Sequence, residues 1–433
     1  MFDVVINRRS CCSNSRFEMS LVKSSLYIVS ATLVRALNGL IVLKILALHT
    51  IPAEFGQLSQ IMGVIAFSGM LAAGGISNGL TRQLAANLNA ADQYRWLGAA
   101  FKIYMVTSAA IAIFLIVASV HLARWLVADA GYALVFVCLA AGQAIVGAAN
   151  LAQSIAAARA DYLFILRIST IGAVAGALVV GAGIWFGGVI GGAVALVINA
   201  AFPGLAAITI KRHSLSLLVS RVHGGVAHGD VVTLLKYASV ALVGAASLSL
   251  SQIASRNLVG QSLGWDAVGL WQIVVRISDV YMQLISVLVM GYVLPRLAKY
   301  SSFRSMHSPF LRACGAIGGV FIVGAVTVYL ARNMIIPLLF STTYLPATEL
   351  LPIQLIGDLF RVIAVFLSVA LMARGLTKMS MVYEASQGIL TFILTATLLG
   401  HTGFAAPVQA YCLTYAILLM SLVHAYIRRL GKE

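Results

Sequence analysis

The sequence predicts an all-α polytopic membrane protein of about twelve transmembrane helices in two parallel six-helix lobes. Three observations carry this. The 433-residue chain is 61% hydrophobic and only 10% charged, against about 45–50% and about 25% in a soluble domain. Apolar runs of about 20 residues recur along its length, enough for a helix to cross the hydrocarbon core and unlike the alternation of barrel strands. The two halves also repeat one another at an offset of about 213 residues.

Charges, Gly and Pro break the apolar runs into elements. Residues 1–18, "MFDVVINRRSCCSNSRFE", lack the apolar core of a signal peptide and read as a disordered tail, with Met19 a candidate start. Span 20–48 follows, and Pro52 parts it from 53–77. Next come 95–120 and 132–157, the latter closed by Arg159. Spans 162–186 and 188–210 are parted by "GGVIGG" (Gly187 to Gly192); this motif and "GGISNG" (Gly74 to Gly79) read as tight helix packing or as loops. These six spans make an N-lobe, 19–210. Residues 211–231, "KRHSLSLLVSRVHGGVAHGD" and its edge, are a cytoplasmic linker and the longest stretch outside the spans. That argues against an enzyme needing a large extramembrane loop. The C-lobe, 232–433, carries 232–258, 265–294, 309–331, 346–373, 378–400 and 404–427.

The repeat is visible residue by residue. Span two enters at Pro52 and closes at Arg82; span eight enters at Trp265 and closes at Arg296. Gly56 corresponds to Gly269, and Lys23 to Lys236. Six spans is an even number, so both halves start on the same side. The repeats are then parallel, related by an axis along the membrane normal, with a substrate path between the lobes.

The formal charge of +16 has a distribution that explains it. With the N-terminus cytoplasmic, inside loops hold Arg82, Arg95, Arg159, Lys211, Arg212, Arg221, Arg296, Lys299, Arg304, Arg374, Lys378, Arg428 and Arg429. Outside loops hold little beyond Arg124, Arg256 and Arg332. This positive-inside bias puts both termini inside and removes the reason to invoke nucleic acid. Cys11, Cys12, Cys138, Cys314 and Cys412 show no metal-ligand spacing, so neither a disulfide nor zinc is expected. There is no nucleophile elbow and no phosphate-binding glycine loop.

Polar residues inside the spans fall on single helix faces. Gln272, Arg276, Asp279 and Gln283 form one stripe; Gln354, Asp358, Arg361 and Ser368 another; Glu384, Gln387, Thr391 and Thr395 a third. Shorter sets are Ser249, Gln252 and Arg256; Gln143, Asn150 and Gln153; and Arg35 with Asn38. Lipid offers such groups no partner, and an ionised side chain at mid-bilayer costs roughly 2.5–3.5 kcal/mol on insertion scales. The pairs Arg276/Asp279 and Asp358/Arg361 are spaced to bridge each other, either as self-neutralising locks or as walls of a cavity. Arg35 has no acid within a turn. Lys44 and Arg256 lie near span ends, where snorkelling competes with a site role.

"MSLVKSSLYIVSATLVRALNGLIVLKILA" (Met19 to Ala47), "GGISNGLTRQLA" (Gly74 to Ala85), "WDAVGLWQIVVRISDVYMQ" (Trp265 to Gln283) and "PIQLIGDLFRVIAVFLSVALMARG" (Pro352 to Gly375) resemble the Wzx-type lipid-linked oligosaccharide flippases of the MOP exporter superfamily. So do "YEASQ" (Tyr383 to Gln387) and "YIRRL" (Tyr426 to Leu430). The likeness is strongest to the branch serving enterobacterial common antigen. It implies a MATE-like fold in the bacterial inner membrane. It also implies export of an undecaprenyl-diphosphate-linked oligosaccharide repeat, of O-antigen or enterobacterial common antigen type, from inner to outer leaflet by ion-coupled alternating access. Implied partners are membrane lipids, a glycan polymerase and a chain-length regulator. Arg35, Lys44, Asp279, Asp358, Arg361 and Glu384 fall where that family carries charges in its spans; Arg276 has no family role.

The chemistry suits a diphosphate, whose hydration guanidinium groups replace with charge-assisted hydrogen bonds. The expected substrate-binding residues are therefore Arg35, Asn38, Lys44, Arg256, Arg276 and Arg361. Asp279, Asp358 and Glu384 are expected to balance charge or to couple transport to H⁺ or Na⁺, with no other cofactor. A multidrug cation exporter of the MATE type fits less well, because span one holds Arg35 and Lys44 and no acid. A membrane glycan polymerase or ligase would need larger outer loops.

Overall fold

The computed structural model describes residues 14–72, 75–87, 89–210 and 228–431. Cys11, Cys12, most of the expected tail and residues 211–227 of the expected linker lie outside the described residues. Residues 14–18 and 228–231 are not tail and linker but the opening turns of helices.

Among the described residues every regular element is helical. The N-terminal half holds α1 (Asn14–His49), α2 (Pro52–Ala72), α3 (Ser77–Ala86), α4 (Ala90–Val117), α5 (Ser119–Val127), α6 (Ala133–Ala158) and α7 (Tyr162–Ile210). The C-terminal half holds α8 (His228–Leu263), α9 (Trp265–Leu288), α10 (Phe303–Leu330), α11 (Arg332–Leu339), α12 (Leu351–Ala373), α13 (Thr377–Thr402) and α14 (Ala406–Leu430), with α9 continuing through a π turn and one further α turn to Leu297. Helices are what lipid demands, since each satisfies its own backbone.

Breaks follow from local chemistry. In α7, Gly188 takes φ 60° and ψ −152°, a combination closed to side-chain-bearing residues, and the chain doubles back there. "GGVIGG" is thus the hairpin tip. The π turn at Val289–Val293 precedes Pro295, which has no N–H to return to the Gly291 carbonyl. Span 53–77 is shorter than expected and ends at Ala72, and 346–349 is 3₁₀ helix ahead of α12.

Among the described residues, nine stretches are long and apolar enough to cross a membrane. Three of them contain breaks: Pro52–Ala86 ahead of Ser77, Tyr162–Ile210 at Gly188 and Lys378–Leu430 around Gly403. The expected span 232–258 lies within α8, a long helix that is not among the nine. The outer flank of α10 is apolar, with Val320 75% and Leu330 73% exposed, as suits a helix in lipid.

The helices up to 210 pack chiefly on one another, with α7 against α1 and α6; those from 228 do likewise, with α13 against α8 and α14, and α12 against α14. The main bridge between these lobes is α2 against α9. At that crossing the backbones touch. A Cβ on Gly56 would lie 2.4 Å from the Trp265 carbonyl oxygen, and one on Gly269 1.9 Å from that of Pro52. The two glycines that correspond in the repeat therefore meet each other, as equivalent positions beside a twofold axis do.

Candidate functional site

The lobes meet most closely at the end of the bundle where α1 runs into α2 and α8 into α9; at the opposite end the start of α8 packs on α3 and α4, with Leu234 and Ala238 in one apolar cluster with Ile76, Leu80 and Leu97, and Arg95 pairs with Asp230 at 3.0 Å. Phe55 of α2 packs edge-on against Phe340 and Tyr344, with centroids 6.3 and 5.4 Å away. The Tyr344 hydroxyl donates to the Thr50 carbonyl at 3.0 Å. Lys44 Nζ donates to the carbonyls of Pro337, Leu338 and Phe340 at 3.2, 2.9 and 2.6 Å. These oxygens end α11, where a helix leaves carbonyls unsatisfied and favours a cation. Arg256, 3% exposed, donates from Nε to Gln60 at 3.0 Å and from Nη1 to Gln272 at 3.2 Å. Its guanidinium reaches α2 because residue 63 is glycine; a Cβ there would sit 2.2 Å from Nη2.

These contacts correct two expectations. Lys44 and Arg256 neither snorkel nor stand open to a substrate in this conformation; both tie the lobes shut at one end. Their positions near span ends were legible, but their partners come from helices remote in sequence.

A second cluster lies within the C-lobe. Asp358, 0% exposed, accepts from Ser278 at 2.5 Å, from Tyr411 at 2.6 Å, from Gln354 at 3.4 Å and from Tyr281. Arg361 does not bridge Asp358 directly. Its Nη1 donates to the Tyr411 hydroxyl at 3.2 Å, and its guanidinium lies 5.5 Å from the Tyr415 ring centroid. Tyr411 is the relay between them. The expected Asp358/Arg361 bridge fails because three hydroxyls from α9 and α14 reach the carboxylate, whereas Arg361, three residues along α12, meets the Tyr411 oxygen instead. Arg276 and Asp279 do pair, at 3.3 Å, with Asp279 exposed. The structure thus joins Asp358 and Arg361 through Tyr411, and pairs Arg276 with Asp279 separately on α9.

The remaining expected residues stand apart. Arg35 is exposed, and neither it nor Glu384 has a hydrogen-bond or ion-pair partner among the described residues. Asn38 is half-buried, with its Oδ1 buried and unpartnered. None of these three joins the C-lobe cluster.

The N-lobe contains a cavity of about 600 Å³ between α2, the turn into α3, α6 and the second arm of α7. None of the nine expected site residues lines it. Its polar groups are Ser77, Asn78, Asn150 and Asn199. Asn150 belongs to one of the polar stripes, whereas Asn199 is an isolated polar residue in an apolar arm and Asn78 lies within "GGISNG", a motif read for its glycines; only the fold brings them together.

The two helical lobes share their fold with solved transporters of the MOP superfamily, a likeness of fold alone. The inward-facing conformation of a multidrug resistance MATE family transporter of that superfamily superposes with a TM-score of 0.77 at 12% identity, covering 94% of this chain and 99% of that one. The lipid II flippase MurJ, in an inward closed conformation, gives 0.73 at 12% identity, covering 93% and 87%. Residues 45–349 match the family model described as polysaccharide biosynthesis protein, and the chain belongs to that family. It is 27% identical over 402 residues to the lipid III flippases of Escherichia coli (strain K12) and Shigella flexneri, covering 92% of this chain and 96% of each.

Proposed function

We propose that this protein is a flippase, not a catalytic enzyme. It moves an undecaprenyl-diphosphate-linked oligosaccharide, of the O-antigen or enterobacterial common antigen type, from the inner to the outer leaflet of the bacterial inner membrane. Both termini are cytoplasmic, so the sealed end is periplasmic. Membership of the polysaccharide biosynthesis family, the likeness to the lipid III flippases and the transporter fold support this.

The observation that carries the mechanism is the Arg361–Tyr411–Asp358 relay, with the Arg276–Asp279 pair on the neighbouring helix α9. Arg361 spends one donor on a neutral hydroxyl and keeps others for a phosphate oxygen, and Arg276 adds a second guanidinium. An ionised Asp358 only accepts; once protonated it must donate one bond, and a surrounding hydroxyl must turn round. Tyr411 is the hydroxyl that also receives Arg361, so the charge on Asp358 sets how Arg361 is held. That links H⁺ or Na⁺ to headgroup binding and release. Rocking of the lobes about the α2/α9 crossing alternates access. Arg35, Asn38 and Glu384 are further groups toward the headgroup path, and Lys44 and Arg256 govern closure. A glycan polymerase and a chain-length regulator are proposed partners in the membrane.

Complementation of a deletion strain tests this. Arg361→Ala and Asp358→Ala are expected to cut surface glycan at least tenfold at normal protein level, with lipid-linked glycan accumulating in the cytoplasmic leaflet. Normal export by both variants overturns the site. Single repeats already outside the membrane in the deletion strain would instead indicate a polymerase.

A further inference from the structure

The 600 Å³ cavity of the N-lobe is within the ordinary size range of small-molecule sites, roughly 300–1,000 Å³, and its chemistry differs from that of the C-lobe cluster. Among the described residues, no ionisable side chain lines it. Three carboxamides and one hydroxyl do, set among Met62, Met70, Ile65, Val146 and Leu196. The carboxamides are almost unused. Asn78 and Asn199 make no side-chain hydrogen bond among the described residues, and Asn150 has one long contact, 3.5 Å to the Gly69 carbonyl. Ser77 shares a 3.3 Å contact with the Tyr104 hydroxyl. Asn199 lies over Gly176, where a Cβ would come 1.8 Å from its Oδ1, so that glycine makes room for the carboxamide.

Unspent donors and acceptors facing a cavity select their occupant. A phosphate or acidic sugar finds no cation there among the described residues. A lipid tail would strip water from three amides and return no hydrogen bond, a loss of the kind that costs kilocalories per group. A cationic drug meets neither a carboxylate nor an aromatic face. An uncharged pyranose fits: each carboxamide offers a donor and an acceptor to neighbouring ring hydroxyls or an N-acetyl amide, and the methionine and aliphatic walls meet the C–H faces and acetyl methyls.

We propose that this N-lobe cavity is a subsite for uncharged sugar of the transported headgroup, while the C-lobe cluster takes the diphosphate. The inference rests on the oligosaccharide-lipid reading above. The headgroup would then be held by both lobes, and its sugars would be sensed through neutral amides.

The test measures affinity of the full-length protein in nanodiscs for two probes: undecaprenyl diphosphate, and undecaprenyl diphosphate carrying an uncharged N-acetylated disaccharide. The wild type is expected to prefer the sugar-bearing lipid at least tenfold. Asn150→Ala and Asn78→Ala are expected to bring the ratio of the two affinities close to one, whereas Arg361→Gln weakens both probes and preserves the ratio. Asn78 is exposed, which keeps one variant free of folding damage, and Asn199 is avoided because it packs on Gly176. A wild type without sugar preference, or asparagine variants that keep the wild-type ratio, overturns the subsite while the flippase reading stands. A wild type that binds neither probe overturns both.

Discussion

Lys44, Arg256 and Arg361 are three cations in apolar helices, and each is stabilised differently. Lys44 neutralises the carbonyl end of α11, Arg256 joins two glutamines across the lobes, and Arg361 rests on a tyrosine that itself serves a carboxylate. The last arrangement gives a prediction at single-residue scale. Tyr411→Phe removes a donor from a fully buried carboxylate and the acceptor of Arg361. A hydrogen bond to a charged group is worth about 1.5–3 kcal/mol. The variant is expected to unfold at lower temperature in detergent by that order and to export poorly. An unchanged melting temperature together with wild-type export would show that the relay carries nothing.

At the scale of elements, the seal depends on how closely α2 and α9 approach. Gly269→Ala places a methyl group against the Pro52 carbonyl, so the helices must separate. Lys44→Met leaves the last carbonyls of α11 without their cation. Both variants are expected to open the sealed end, Gly269→Ala more than Lys44→Met. A cysteine replacing Thr50, 8% exposed in the closed seam, reads this out. A membrane-impermeant maleimide should label it slowly in the parent and at least severalfold faster in both variants. Equal labelling in all three would mean that the crossing does not hold the gate.

At the scale of the whole molecule, the basic residues make an orientation prediction. A fluorescent protein fused after Glu433 should fluoresce, and alkaline phosphatase at the same point should stay inactive, because both termini are assigned to the cytoplasm. The reverse pattern would place the sealed end inside and invert the proposed cycle.

Much of this architecture is written in local pattern. Apolar run length, the Gly and Pro breaks and the half-chain repeat depend on neighbours in sequence, so the helices, the hairpin tip at Gly187–Gly192 and the matched Gly56 and Gly269 were legible before any coordinates. The Arg276/Asp279 pair was too, since both partners share one helix face. The partners of Lys44, Arg256, Asp358 and Arg361 were not, because they come from helices far away in the chain, and hydropathy carries no information about which helix faces which. Charge drew attention to the C-lobe and away from Asn78, Asn150 and Asn199, whose neutral amides carry little weight in a sequence and become a group only when α2, α3, α6 and α7 enclose them. The sequence by itself determined that this chain crosses a membrane as a two-fold repeat of helices with charges it must shelter. Which charges hold the lobes together, and which are left to meet a ligand, was decided only by tertiary packing, because in lipid a polar group takes whichever partner the fold brings within reach.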